Sequence, residues 1–258
     1  MMAKISTGWG YRLWIFLLCL PLAACGGGGG GGGGGGPADY FPFAQGNTWS
    51  FAGTIEEVDP ELGTSSASFA NQATISGTTP IQGLDVSIFR ETNPFNGGVV
   101  EEMLLFKDAE GVVNFGNTDP LDTLTPQLVP YDLIRFPLTA GSSFQQLQLS
   151  GLNLGEDLDG DGTAETADVD SLVRLVGFEA VSVPAGNFAD CARVETDTTI
   201  TAILSSDGSR FPANQLLTLW LAPGVGWVQR VTVITADTPL GVFRQTVTER
   251  LSSFTLSN

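Results

Sequence analysis

The chain has 258 residues, 42% of them hydrophobic, which is enough apolar material for a folded core and too much for a disordered chain. It contains no histidine and sets 28 Asp and Glu against 11 Lys and Arg. That composition excludes a Ser-His-Asp triad, a Cys-His pair or a His-ligated zinc built from this chain alone, and it opposes nucleic-acid binding.

The first segment reads as an export signal. Lys4 and Arg12 form a positive start, and Leu13 to Leu20 is an apolar run of eight residues, too short to span a bilayer of ~30 Å as a helix. Pro21 breaks the run, and Leu22-Ala23-Ala24-Cys25 follows. This resembles the lipobox of bacterial lipoproteins. The resemblance implies cleavage before Cys25, leaving residues 1–24 as the signal peptide, with diacylglyceryl transfer to the Cys25 sulfur and acylation (palmitate) of the new amino terminus. Residues Gly26 to Gly36 are eleven consecutive glycines, a flexible tether of ~18 Å root-mean-square span, so residues 25–38 are read as a lipidated leash. Gly26 stands where an aspartate is the inner-membrane retention signal of Gram-negative lipoproteins, and its presence points to the outer membrane. Lys4 and Arg12 leave with the signal, so 9 of the 11 cations remain against 28 acids, a net charge of −19. Such a surface favours divalent cations and basic partners. Cys19 leaves too and Cys25 is acylated, so Cys191 stands alone and no disulfide forms within the processed chain.

From 39 to 258 the sequence predicts an all-β envelope domain, an antiparallel multi-strand sandwich or a strongly curved sheet of ten to twelve strands. Period-2 segments rich in Val, Ile, Thr and Phe are bounded by Gly, Pro, Asn and Asp. Leu84, Val86 and Ile88 alternate with Asp85 and Ser87. Met103–Phe106 and Val112–Phe115 form a hairpin around Asp108-Ala109-Glu110-Gly111. Leu147 and Leu149 alternate with glutamines, and Ile200–Leu204 pairs with Leu216–Leu221 around Asp207-Gly208. At the end Arg244, Thr246, Thr248 and Arg250 oppose Phe243, Val247 and Leu251. Irregular alternation and a lipid anchor both argue against a transmembrane barrel.

One stretch occurs twice. Phe41-Pro42-Phe43-Ala44-Gln45-Gly46-Asn47-Thr48-Trp49 matches Phe136-Pro137-Leu138-Thr139-Ala140-Gly141-Ser142-Ser143-Phe144. It is either the trace of two similar β subunits or one turn type arising twice. The block from Tyr40 to Trp49, with Val183-Pro184-Ala185-Gly186-Asn187-Phe188 and Ala222-Pro223-Gly224-Val225-Gly226-Trp227-Val228, is similar to blocks of a broad group of uncharacterised bacterial lipoproteins and periplasmic proteins. That resemblance implies an exported β domain and carries no activity and no catalytic residue.

The strongest site signal is Asp157-Leu158-Asp159-Gly160-Asp161-Gly162-Thr163-Ala164-Glu165-Thr166-Ala167-Asp168. Asp157, Asp159 and Asp161 fall at positions 1, 3 and 5 of a calcium loop, with Gly162 at the sharp turn. The Thr163 carbonyl falls at 7, Glu165 at 9 and Asp168 at 12. Asp168 replaces the long bidentate glutamate of an EF-hand and both flanks are β-like, so the loop is expected to cap a hairpin and to bind calcium at ~10⁻⁴–10⁻³ M. Glu56-Glu57 and Glu101-Glu102 are neighbours on strands and point to opposite faces, which does not make a catalytic pair. Cys191 is read as a small half-buried residue, and Trp49, Trp220 and Trp227 as core.

These observations predict a lipid-anchored, non-enzymatic binding or structural module with a calcium-stabilised loop. Two other readings stay open. One is a carrier or chaperone for an apolar ligand or envelope protein, marked by an apolar cavity. The other is a carboxylate-based hydrolase, marked by two carboxylates ~5–10 Å apart in a polar cleft.

Overall fold

Alternation is the local rule that builds this molecule. On the last strand Phe243, Gln245, Val247, Glu249 and Leu251 are buried while Arg244, Arg250 and the residues between them face outward or sit half-exposed. The same period-2 pattern recurs along the chain. The structure is a computed structural model describing residues 39–93, 99–238 and 240–257; the signal, Cys25 and the glycine tether lie outside the described residues. Twelve strands form one antiparallel sheet: β1 (Thr48–Asp59), β2 (Gly63–Ile81), β3 (Leu84–Asn93), β4 (Val99–Lys107), β5 (Gly111–Asn117), β6 (Tyr131–Arg135), β7 (Ser143–Asn153), β8 (Thr166–Val183), β9 (Gly186–Ile203), β10 (Arg210–Ala222), β11 (Gly226–Thr238) and β12 (Gly241–Thr255). A single helical turn, α1 (Thr125–Leu128), lies between β5 and β6. No helix among the described residues is long and apolar enough to cross a membrane.

The sheet order is β6-β5-β4-β3-β2-β1-β12-β11-β10-β9-β8-β7. Every strand pairs with its chain neighbours except β6 and β7, and β1 pairs with β12, so the sheet curls into a nearly closed barrel whose gap lies between β6 and β7. Side chains bridge that gap: Gln146 Nε2 donates to the Asp132 carbonyl at 2.9 Å, and the Arg135 guanidinium lies 4.4 Å from the centre of the Phe144 ring. Of the two architectures expected, the strongly curved sheet is the one formed. The expected hairpins form at β4–β5 and β9–β10, but β10 begins at Arg210 instead of Leu216, where polar residues and Pro212 obscure the pattern.

The repeated Phe-Pro stretch marks two halves of this sheet. Gly46, with φ +91°, donates its N–H to the Ile75 carbonyl at 2.9 Å, and the Ile75 N–H returns to the Asn47 carbonyl. In the second half Gly141, with φ +80°, donates to the Leu175 carbonyl at 2.8 Å, and the Leu175 N–H returns to the Ser142 carbonyl. Both glycines take a left-handed conformation that a side chain would strain. Register breaks also correspond. The pairing slips at Ile75/Gly77 on β2 and at Leu175/Gly177 on β8, and again at Met103/Leu105 on β4 and Trp220/Leu221 on β10. Strands β1–β6 and β7–β12 are thus two meanders of one design in a single sheet.

The up-and-down course gives the barrel two rims. The chain enters at Asp39, and this entry rim carries the β2–β3, β4–β5, β6–β7, β8–β9 and β10–β11 turns. The far rim carries the β1–β2, β5–β6, β7–β8, β9–β10 and β11–β12 connections. Near the entry rim the core is aromatic. Trp227 stacks on Phe51 (5.1 Å between ring centres, 3° between planes) and on Trp49 (5.7 Å, 21°), with Phe89 at 5.4 Å. Trp49 Nε1 donates to the Val225 carbonyl at 2.7 Å, which ties β1 to the β10–β11 turn.

Candidate metal centre

The far-rim connection between β7 and β8 is the acidic loop picked out in the sequence. Its base is closed by backbone bonds, Leu154 N–H to the Glu165 carbonyl at 2.9 Å and Glu165 N–H to the Glu156 carbonyl at 2.8 Å. Above that base the aspartates fold the chain around themselves. Asp157 accepts from the N–H groups of Gly160 (2.7 Å), Asp161 (3.2 Å) and Gly162 (2.8 Å). Asp159 accepts from Asp161 N–H at 3.1 Å, and Asp161 from Thr163 N–H at 2.8 Å. Gly160 and Gly162 take φ +80° and +90°, the turn geometry the sequence demanded.

A second element completes the site. The β9–β10 turn lays Ser205 and Ser206 against the loop: Ser205 Oγ donates to Asp161 at 2.8 Å and Ser206 Oγ to Asp159 at 2.6 Å. Glu165 is fully buried, one carboxylate oxygen accepting from Ser205 N–H and the other from Leu158 N–H at 3.3 Å. Asp157, Asp159 and Glu165 each offer an oxygen, and the three lie within 4.8 Å of one another. None of these carboxylates, nor Asp161, pairs with a described Lys or Arg. The hydroxyl of Ser205 and the Thr163 N–H hold the Asp161 carboxyl below the ordinary carboxylate range.

Of the six residues expected to hold calcium, the structure gathers Asp157, Asp159 and Glu165. Asp161 sits beside them, held by Ser205, and Thr163 follows it in the turn. Asp168 is placed elsewhere: it lies on β8, accepts from Gly151 N–H at 3.1 Å and pairs with Arg210 at 2.5 Å. The Arg210 hydrogen bond lowers its pKa. Glu165 therefore takes the inward place that sequence spacing gave to position 12. Oxygen donors with a buried carboxylate at their centre suit a hard cation such as calcium.

The other candidates resolve as structure. Cys191 is fully buried, more than the half-burial expected, and burial pushes its thiol up to about 11. Trp49 and Trp227 are core; Trp220 is half-exposed, its Nε1 donating to Glu179 and its ring 5.7 Å from the Arg193 guanidinium. Glu102 pairs with Arg90 at 3.0 Å, and Glu57 accepts from Gln245 at 3.4 Å.

No family model matches the chain. No curated protein matches it either. Two solved structures resemble it in fold. One is a Bacteroides fragilis protein described as exported and having a YmcC-like fold, at 12% identity and TM-score 0.43, covering 84% of this chain and 99% of that one. The other is a Parabacteroides distasonis protein described as a lipoprotein, at 14% identity and TM-score 0.37, covering 86% of this chain and 100% of that one. At these scores neither carries an argument about chemistry.

Sequence reasoning missed a buried charge cluster inside the barrel. Arg230 on β11 reaches Glu249 on β12 and Glu91 on β3, at 2.5 Å to the Glu91 Oε1. Asn71 on β2 donates to both carboxylates, at 2.7 Å to Glu249. Desolvation raises the pKa of Glu91, opposed by the Arg230 charge, and the two carboxylates keep Arg230 firmly protonated. The signal was present: Glu249 occupies the apolar face shared by Val247 and Leu251.

Proposed function

We propose that this protein is a lipid-anchored cell-envelope lipoprotein acting as a non-enzymatic binding or structural module, with calcium ordering its β7–β8 loop. The observation that carries the calcium reading is the convergence of Asp157, Asp159 and Glu165 within 4.8 Å, one of them buried and none paired with a described cation. Three uncompensated carboxylates repel, and a divalent ion relieves that repulsion. The ion would join two hairpins, because Ser205 and Ser206 already tie the β9–β10 turn to the same carboxylates. Its role is then mechanical.

The interior favours holding over catalysis. Glu91 and Glu249, two carboxylates that meet inside the barrel, share one guanidinium, so neither is left to act as general acid or nucleophile. Calorimetric and melting measurements on the detergent-solubilised protein test the proposal. At ~10 mM calcium and a dissociation constant of ~10⁻⁴–10⁻³ M, binding adds about 1.4–2.7 kcal/mol, roughly 3–10 °C in melting temperature. An unchanged melting temperature and no heat of binding would remove the calcium reading.

A further inference from the structure

The two rims differ in chemistry. The far-rim connections carry Glu61, Asp119, Asp122, Asp207 and the five acids of residues 156–165, with no Lys or Arg among them. The entry-rim turns hold Asp39, Asp108 and Glu110, and Asp39 is paired with Lys107 at 2.6 Å. The entry rim has exposed aromatics, whereas the exposed apolar side chains of the far rim, Leu62, Leu121 and Leu240, are aliphatic, the first two of them beside the acids Glu61, Asp119 and Asp122.

The long β8–β9 hairpin forms an arm there. Its tip folds over the barrel mouth, the Ala185 N–H donating to the Leu251 carbonyl on β12 at 2.9 Å. Along this arm Phe178 is 44% exposed and lies 6.2 Å from Tyr40, while Phe188 lies 6.3 Å from Phe254, itself 38% exposed. Val176, at 46%, extends the apolar surface. The arm's exposed acids are Glu179, tied to the Trp220 indole, and Asp190, whose carbonyl accepts from the Tyr40 hydroxyl at 3.2 Å. Tyr40, the second described residue, thus packs on the aromatic surface itself.

We infer that the entry-rim surface of Phe178, Phe254, Phe188 and Tyr40 rests on the lipid bilayer, so that the acidic loop faces away from the membrane. The inference rests on the reading of Cys25 as lipidated. From Cys25 to Asp39 the chain advances 14 residues, mostly glycine, a root-mean-square span of ~20 Å. Strand β1 runs 12 residues from the entry rim to the far rim, about 30 Å along the axis at ~3.3 Å per residue and ~40° tilt. The tether therefore keeps the entry rim beside the bilayer and the far rim a barrel's height above it. Anionic headgroups repel the acid-rich rim and give the same orientation. Aromatic side chains are the residues that settle at the headgroup level.

The test uses the full processed lipoprotein in vesicles of phosphatidylethanolamine and phosphatidylglycerol, with a nitroxide on Phe178→Cys, on Phe254→Cys or on Leu121→Cys. Leu121 is on the far rim and 86% exposed, and buried Cys191 does not compete for label. Paramagnetic collision with oxygen and with a water-soluble nickel chelate reads the depth of each label. We expect positions 178 and 254 to show an oxygen-to-nickel ratio several-fold above that at 121. Mass spectrometry of the same sample reads the acyl groups on Cys25. Acyl mass with equal aqueous exposure at all three positions overturns the docking alone. Absence of acyl mass overturns the anchor and the docking with it.

Discussion

Replacing Arg230 with methionine tests whether the buried cluster holds the barrel together through its charge. The guanidinium is enclosed by Glu91, Glu249 and, through them, Asn71. Methionine keeps most of the stem volume and removes the cation that, among the described residues, pairs with both carboxylates. Leaving buried charge unpaired costs ~3–5 kcal/mol, and the variant can escape part of this by taking up protons. Protonating a carboxyl of ordinary pKa 4.5 at pH 7 costs ~3.4 kcal/mol, so full escape for both is no cheaper than the loss itself. A fall of ~3–5 kcal/mol at pH 7, or about 8–15 °C, is therefore expected. The sign of its pH dependence follows from Glu91, whose pKa burial raises and which the variant deprives of the opposing Arg230 charge. Its folded pKa lies above the unfolded one, so the neutral form is favoured by folding, stability is fullest below about 4.5, and it declines as pH rises. Urea unfolding at pH 7 and pH 5 reads both effects, with up to ~1.4 kcal/mol recovered through Glu91 per unit of acidification. A loss under ~1 kcal/mol that is the same at both values would refute the account. In the parent protein Glu91→Gln is the counterpart: its pKa is raised by burial, so the amide is expected within ~1 kcal/mol of wild type at pH 7. The same variant flattens the stability loss that Glu91 imposes as pH climbs through its native value.

Asp159→Asn is expected to abolish the calcium-induced melting shift while leaving the calcium-free melting temperature unchanged or up to ~2–4 °C higher, since one like charge is gone; a retained shift in differential scanning calorimetry would place the ion elsewhere. Cys191 is expected to resist a disulfide-exchange reagent at pH 8 in the folded protein and to react fully in denaturant, because a thiol with a pKa of about 11 is ~0.1% thiolate there and is buried besides; rapid labelling of the native chain would contradict both. Gly111→Ala puts a methyl 2.2 Å from the Ile134 carbonyl oxygen across the β5–β6 ladder, so hydrogen exchange of β6 amides should accelerate at a stability cost of ~1–3 kcal/mol; unchanged protection of Ile134 and Arg135 would show that the strands separate freely there.

How far the sequence reveals this molecule depends on the range of the interaction. Alternation identifies strands because it is local, and β12 illustrates it: every inward residue from Phe243 to Leu251 falls on one parity. The same rule hid Glu249 and Gln245, since polar residues on an apolar face look like noise until their partners on β1, β2, β3 and β11 are known. Asp157, Asp159 and Asp161 were legible through spacing within one loop. The inward place of Glu165 was not, because it depends on Ser205 in a turn 40 residues away. Nor was the fate of Asp168, which Arg210 decides from the neighbouring hairpin.

The two halves show where function-bearing differences lie. Corresponding clasps at Gly46 and Gly141 and corresponding bulges on β2 and β8 set the barrel's curvature, so they recur. The hairpins they support diverge. In the first half Asp59 closes β1 to β2 through its own carboxylate, accepting from Glu61 and Leu62 N–H at 2.8 and 2.9 Å. In the second half the equivalent turn expands into residues 154–165 and gathers the acids. The arm diverges too: β2–β3 ends at Gln82-Gly83, while β8–β9 bends across to β12 and carries Phe178 and Phe188. The far-rim acids, the entry-rim arm and the buried cation all belong to β7–β12. The first half supplies Glu91, Asn71 and the walls against which these features are held.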